Sequence, residues 1–183
     1  MRITILNGEP QFGSAFESYV RKVADRLQLS GHTVKMLHLR ELDLKGCSGC
    51  WGCWVKTPGE CTKRDESALV CKAAIEAELL LLASSIAMGF TSALLKRAAD
   101  QMIPLVHPYF LVEGGECHHR ARYANYPKFA LLLGPGADTD AEDIEITTVL
   151  WKRMARNLKS GIVYTAVSNR NPEEVADELI AAA

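Results

Sequence analysis

Leu79-Leu80-Leu81-Leu82-Ala83 is an unbroken apolar run in a chain of 183 residues. A strand with one wet face alternates apolar and polar residues. A continuous run implies burial on both faces, the condition of a strand inside a parallel sheet covered by helices. The flanking segments fit that reading. Residues 2–6 form a short β-branched run that ends at the turn Asn7-Gly8-Glu9-Pro10. A helix starts at Ser14, with Glu17 three residues on as in a capping box. Its stripe of Phe16, Val20, Val23 and Leu27 faces the core, while Glu17, Arg21, Lys22 and Asp25 are expected to face water.

The remaining segments continue the alternation. A strand is expected over about 33–39, a cysteine-bearing loop over 46–63 and a helix over about 65–76. After Ser84–Phe90 a helix runs to about Ile103, burying Leu94, Leu95, Ala98, Ala99 and Met102 and exposing Lys96, Arg97, Asp100 and Gln101. Residues 104–127 read as one long, polar, irregular segment. Phe129–Leu133 is a strand, and Thr139 with Glu142 caps the helix that follows. Ile162–Val167 is the last strand, and Asn171-Pro172 opens a terminal helix with proline at its first position. Alternating strands and helices imply right-handed crossovers. The expected fold is α/β, a flavodoxin-like three-layer sandwich with a five-stranded parallel sheet in the order 2-1-3-4-5, as one domain over 1–183.

Charge narrows the partners. Lys and Arg number 21 against 22 Asp and Glu, a formal charge of -1, which argues against nucleic acid or an anionic membrane as partner. No apolar run approaches the roughly 18 residues of a membrane span. Met1–Leu6 reads as a strand and not as a secretory leader, so a cytoplasmic location is expected.

In a sheet of this kind the loops that follow strands emerge at one edge, and ligands bind there. Asn7–Ser14, Cys47–Cys61, Ser84–Phe90 and Gly134–Asp140 are therefore expected around one crevice. Asn7–Ser14 reads either as an anion cradle at a helix N-terminus or as an ordinary turn capped by Ser14. Glu9 bears on that choice. A carboxylate ~4 Å from a phosphate, at an effective dielectric near 20, costs about 4 kcal/mol per charge pair. Either Glu9 points away or a phosphate is not held there.

Cys47, Cys50, Cys53 and Cys61 have the spacing C-x2-C-x2-C-x7-C. Four thiolates so spaced suit zinc or a [4Fe–4S] cluster; the alternative is a loop of free or redox-active thiols packed by Trp51 and Trp54. Cys71 reads as a core thiol and Cys117 as a loop thiol. His118 and His119, with Arg120 and Arg122, either offer donors to a substrate or pyridine-nucleotide phosphate or belong to a solvated loop or subunit contact, and adjacent histidines point to different sides and do not make a two-His metal site.

With Cys47-Ser48-Gly49-Cys50-Trp51-Gly52-Cys53-Trp54 through Cys61, and with Met88-Gly89-Phe90-Thr91-Ser92-Ala93-Leu94-Leu95-Lys96, the chain resembles the NAD(P)H-dependent FMN reductase family, including its iron–sulfur flavoproteins. The resemblance implies FMN at the C-terminal edge of the sheet, reduction of that flavin by NADH or NADPH, and a small-molecule acceptor or redox protein as partner. It also implies a homodimer or homotetramer. Carried onto this sequence, the flavin contacts are Asn7, Gly8, Gln11, Gly13, Ser14, Ala15 and Phe16 in the first turn. Ser84, Ser85, Ile86, Ala87, Met88, Gly89 and Phe90 follow in the third. In the iron–sulfur members, cysteines at the positions of Cys47, Cys50, Cys53 and Cys61 hold the cluster. No side chain is expected as a catalytic acid or base. Two positions depart from the family pattern: Glu9 stands where a small hydroxyl residue is usual, and Phe16 stands near another expected hydroxyl.

Overall fold

The computed structural model describes residues 1–183. In chain order the elements are β1 (Arg2–Asn7), α1 (Ala15–Leu29), β2 (Thr33–His38), α2 (Gly52–Val55), α3 (Ser67–Glu76), β3 (Leu79–Ala87) and β4 (Phe90–Thr91). They continue with α4 (Ala93–Asp100), β5 (Val106–Glu113), β6 (Glu116–Ala121), β7 (Lys128–Gly134), α5 (Ala141–Asn157), β8 (Ile162–Val167) and α6 (Pro172–Ala182). The central strands pair in parallel in the order β2-β1-β3-β7-β8, which is the flavodoxin-like 2-1-3-4-5 order.

The leucine run is explained by what lies above and below it. Leu79, Leu81 and Ala83 enter a core with Val20, Val23 and Leu27 of α1 and Val175 and Leu179 of α6. Leu80 and Leu82 enter a second core with Val70 of α3, Leu95 and Ala98 of α4, and Trp151 and Ala155 of α5. Period-two alternation therefore persists in β3, but both faces are dry, so both sets are apolar.

Several sequence expectations are corrected. Residues 104–127 are not irregular: β5 and β6 pair antiparallel as a hairpin. Its turn is Gly114-Gly115, both left-handed (φ 60° and 79°), the primed geometry of a two-residue hairpin loop. Helix α4 stops at Asp100, and Gln101 is buried and donates its side-chain amide to the Lys45 carbonyl. Helix α5 is capped by Asp140 in a reciprocal box with Asp143, whereas Thr139 accepts from Gly136 N–H (2.9 Å) in the preceding turn. Glu17 does not face water; it is 3% exposed. No helix is long and apolar enough to cross a membrane.

Candidate functional site

Strands β1, β3 and β7 end side by side at Asn7, Ala87 and Gly134, so the turns that follow them form a common rim. Beyond Ala83, β3 leaves its pairing with β1 and folds back as the Ile86–Thr91 hairpin. Met88 and Gly89 make the bend with left-handed backbone (φ 52° and 74°), and Met88 is 96% exposed. The hairpin is tied at both ends. Buried Ser84 Oγ accepts from Ser92 N–H (2.8 Å), and Thr147 of α5 donates its hydroxyl to the Gly89 carbonyl (3.3 Å). The first turn is joined to it, since Gly8 N–H donates to the Ala83 carbonyl (2.8 Å) and Ser92 Oγ donates to the Gly8 carbonyl (2.5 Å). The turn at Gly8 and the segment from Ala83 to Ser92 are thus joined by hydrogen bonds.

Within the β1–α1 turn, the chain's own carboxylates take up the donors. Glu9 is 4% exposed; its Oε1 accepts from Gln11 N–H (3.0 Å), and its Oε2 is buried without a partner. Glu9 N–H itself goes to Asn7 Oδ1 (3.0 Å). Ser14 caps α1 by accepting from Glu17 N–H (3.0 Å). The expected box is only half made, because Glu17 Oε2 takes Gly13 N–H (2.6 Å) instead of the Ser14 amide. Glu17 Oε1 meets Arg40 (2.6 Å), Arg21 (3.4 Å) and His38 (3.6 Å). The Arg40 guanidinium holds the Glu17 carboxyl below its ordinary range. Phe16 lies against Gly134, where a Cβ would meet its ring at 2.4 Å, so the aromatic side chain fills the space beside the third turn of the rim.

These residues test the expected phosphate directly. Glu9 is buried and not turned out to solvent, so its carboxylate stands against a phosphate in this turn. Three of its N–H groups are already satisfied, and the satisfying groups at two of them are carboxylates.

The cysteine loop sits elsewhere, which corrects the expectation of one shared crevice. Cys47, Cys50, Cys53 and Cys61 line a cavity of about 370 Å³ with Trp51, Trp54, Asp100, Gln101 and Pro104. Its wall includes Asp100 and Gln101 at the C-terminal end of α4, whereas the Ile86–Thr91 hairpin leads into the N-terminal end of that eight-residue helix, whose length is about 12 Å at 1.5 Å per residue. Arg97 donating to the Leu44 carbonyl (3.1 Å) and Gln101 to that of Lys45 hold the loop there. The four thiols share the cavity without converging: no group of three or more His, Cys, Asp or Glu is placed to hold a metal ion. Exposed Cys50 lies 3.8 Å from Thr62 Oγ1, and the Gly52 N–H and that hydroxyl lower its thiol pKa. Burial raises that of Cys53 and pushes Cys71 up to about 12. Cys71 is a core thiol as expected, and Cys117 is exposed on β6.

His118 and His119 point to opposite sides of β6. His118 is buried between Asn157 (3.1 Å) and Glu116 (3.1 Å). His119 lies between the rings of Trp54 and Phe110, with centroids 4.8 and 4.7 Å away. Arg122 donates to the Pro104 carbonyl (2.8 Å) and Arg120 to that of Phe110 (3.5 Å). Their hydrogen bonds serve the hairpin. Glu17 and Arg40 are the site residues that sequence reading missed. Position 17 falls three before Val20 and seven before Ala24, on the buried stripe of α1, which was a legible signal.

The sheet order and the joined turns at its C-terminal edge define a protein of the flavodoxin-like α/β class. The family model of the NADPH-dependent FMN reductases matches residues 1–131, and the chain belongs to that family, as an oxidoreductase. Solved structures share the fold at low identity. An azoreductase from Bacillus anthracis str. Sterne is 13% identical with a TM-score of 0.67, covering 100% of this chain and 94% of that one. The NAD(P)H:quinone oxidoreductase from Methanothermobacter marburgensis is 16% identical with a TM-score of 0.66, covering 100% and 95%. An FMN-dependent NADH-azoreductase from Bacillus anthracis str. Ames Ancestor, solved in complex with FMN, is 13% identical with a TM-score of 0.63, covering 100% and 98%. A search of curated proteins returns no match.

Proposed function

We propose that this chain is a flavin-dependent NAD(P)H oxidoreductase that passes reducing equivalents to a small-molecule acceptor. The observation that carries the reading is the hairpin Ile86–Thr91, pinned through Ser84, Ser92 and Thr147 beside the turn at Gly8. It offers Ser84 to Phe90 as a fixed backbone surface for a planar ring. Asn7, Gly8, Gln11, Gly13, Ser14, Ala15 and Phe16 would wall the ribityl end. The flavin supplies the hydride chemistry, so the chain's part is binding, orientation and hydrogen bonding to the ring.

Quinones and azo compounds are the acceptors we favour, by analogy with the fold relatives. Full-length protein supplied with FMN or riboflavin should oxidise NADH or NADPH in the presence of a quinone or an azo dye. Absence of oxidation with every combination would defeat the reading. Six unpaired thiols suit a reducing cytoplasm. Exposed Ile146, Val149 and Leu150 on one face of α5 suit pairing with a second copy. A second reading, an electron-transfer protein with an iron–sulfur cluster on Cys47, Cys50, Cys53 and Cys61, draws on the cavity those residues share. Iron and acid-labile sulfide in oxygen-protected protein test it; their absence removes it.

A further inference from the structure

We infer that the β1–α1 turn selects against a phosphate monoester and that the preferred flavin of this chain is the unphosphorylated one, riboflavin. The inference rests on the flavin reading above and concerns the end of the ligand remote from the ring.

A strand-to-helix turn at this edge binds phosphate through unpaired N–H groups and the positive end of the helix dipole. Here Gln11 N–H is taken by Glu9 Oε1 (3.0 Å) and Gly13 N–H by Glu17 Oε2 (2.6 Å). Both carboxylates are more than nine-tenths buried, so water does little to screen them from an incoming anion. The cations nearby do not reverse that balance. Arg40 is bound to Glu17 (2.6 Å), to the Glu9 carbonyl (3.3 Å) and to Glu41 (3.4 Å), and its guanidinium stacks on Phe12 (5.2 Å). Arg21 and His38 also face Glu17 (3.4 and 3.6 Å).

One atom says what the turn takes instead. Glu9 Oε2 is buried and has no hydrogen-bond partner. A carboxylate oxygen accepts only, so its complement is a donor. The terminal hydroxyl of a ribityl chain is a donor without charge; a phosphate dianion at the same place offers only acceptor oxygens and like charge. The unphosphorylated flavin fits both features.

The test compares the two flavins on the full-length apoprotein by fluorescence titration, a binding readout independent of turnover. Riboflavin should bind at least about tenfold more tightly than FMN, a margin of about 1.4 kcal/mol. Glu9→Gln retains an acceptor for Gln11 N–H and removes the charge; Glu9→Ala removes both. In each variant the affinity ratio should move toward FMN by about tenfold or more. Because the ratio is taken within one protein, a partial loss of folded material cancels. FMN binding as tightly as riboflavin in the unmodified chain overturns the inference and leaves the flavin reading standing. An unchanged ratio in both variants overturns it too. If neither flavin binds, the flavin reading falls and this inference with it.

Discussion

Glu17 shows how a single buried charge couples the site to folding. Its carboxylate is 3% exposed, and Arg40 (2.6 Å) and the Gly13 amide (2.6 Å) stabilise the ionised form. The folded pKa therefore lies below the ordinary 4.5. A depressed carboxylate contributes its full stability above the unfolded value and loses it as the pH falls through the folded one. The urea midpoint of the unmodified chain should thus exceed that of Glu17→Gln at neutral pH, and the gap should close on acidification below pH 4.5. A gap that persists unchanged in acid would mean that packing and not charge sets it. Glu9 carries a different lesson. Its residue type was a warning in the sequence, but its inward direction depends on the fold of the turn, which no local pattern reports.

Among the elements, the helices were legible through their stripes, and their ends through caps: Ser14 before α1, and Asn171 with Pro172 before α6. The hairpin β5–β6 was not, although Gly114-Gly115 was its turn signal. Strand β6, Glu116-Cys117-His118-His119-Arg120-Ala121, shows no apolar alternation, because its inward residue is a histidine. What satisfies His118 is Asn157 on α5, and what anchors Glu116 is Arg153 (2.6 Å) and Arg156 (3.0 Å), all more than 30 residues away. At the end of β7, Gly134 is the place where Phe16 of α1 rests. Gly134→Ala forces the ring aside and should cost ~1–3 kcal/mol in urea denaturation. Combining it with Phe16→Leu should recover part of that loss; no recovery would place the strain elsewhere.

The molecule as a whole is two cores separated by one sheet. Leu27 belongs to the core under α1 and α6, and Leu95 to the core under α3, α4 and α5. Each Leu→Ala change should cost ~2–5 kcal/mol. Their effects should add within ~0.5 kcal/mol, because the two sites share no partners across the sheet. Coupling well beyond that, measured by urea denaturation of the single and double variants, would show that the sheet transmits strain from one face to the other. The cysteine loop belongs to the same larger picture. Its thiols were expected at the rim, yet Arg97 and Gln101, each more than 50 residues further along the chain, fasten its approach to the far end of α4. Periodicity alone was enough for the doubly covered parallel sheet, since apolar spacing is a local record of which faces are dry; the strand order was an expectation from the flavodoxin-like pattern that the pairing of the folded strands bears out. The direction of Glu9, the burial of Glu17 and the position of the thiols had to await the folded chain, because the energy of a buried charge or a docked loop lies in partners that are distant in sequence.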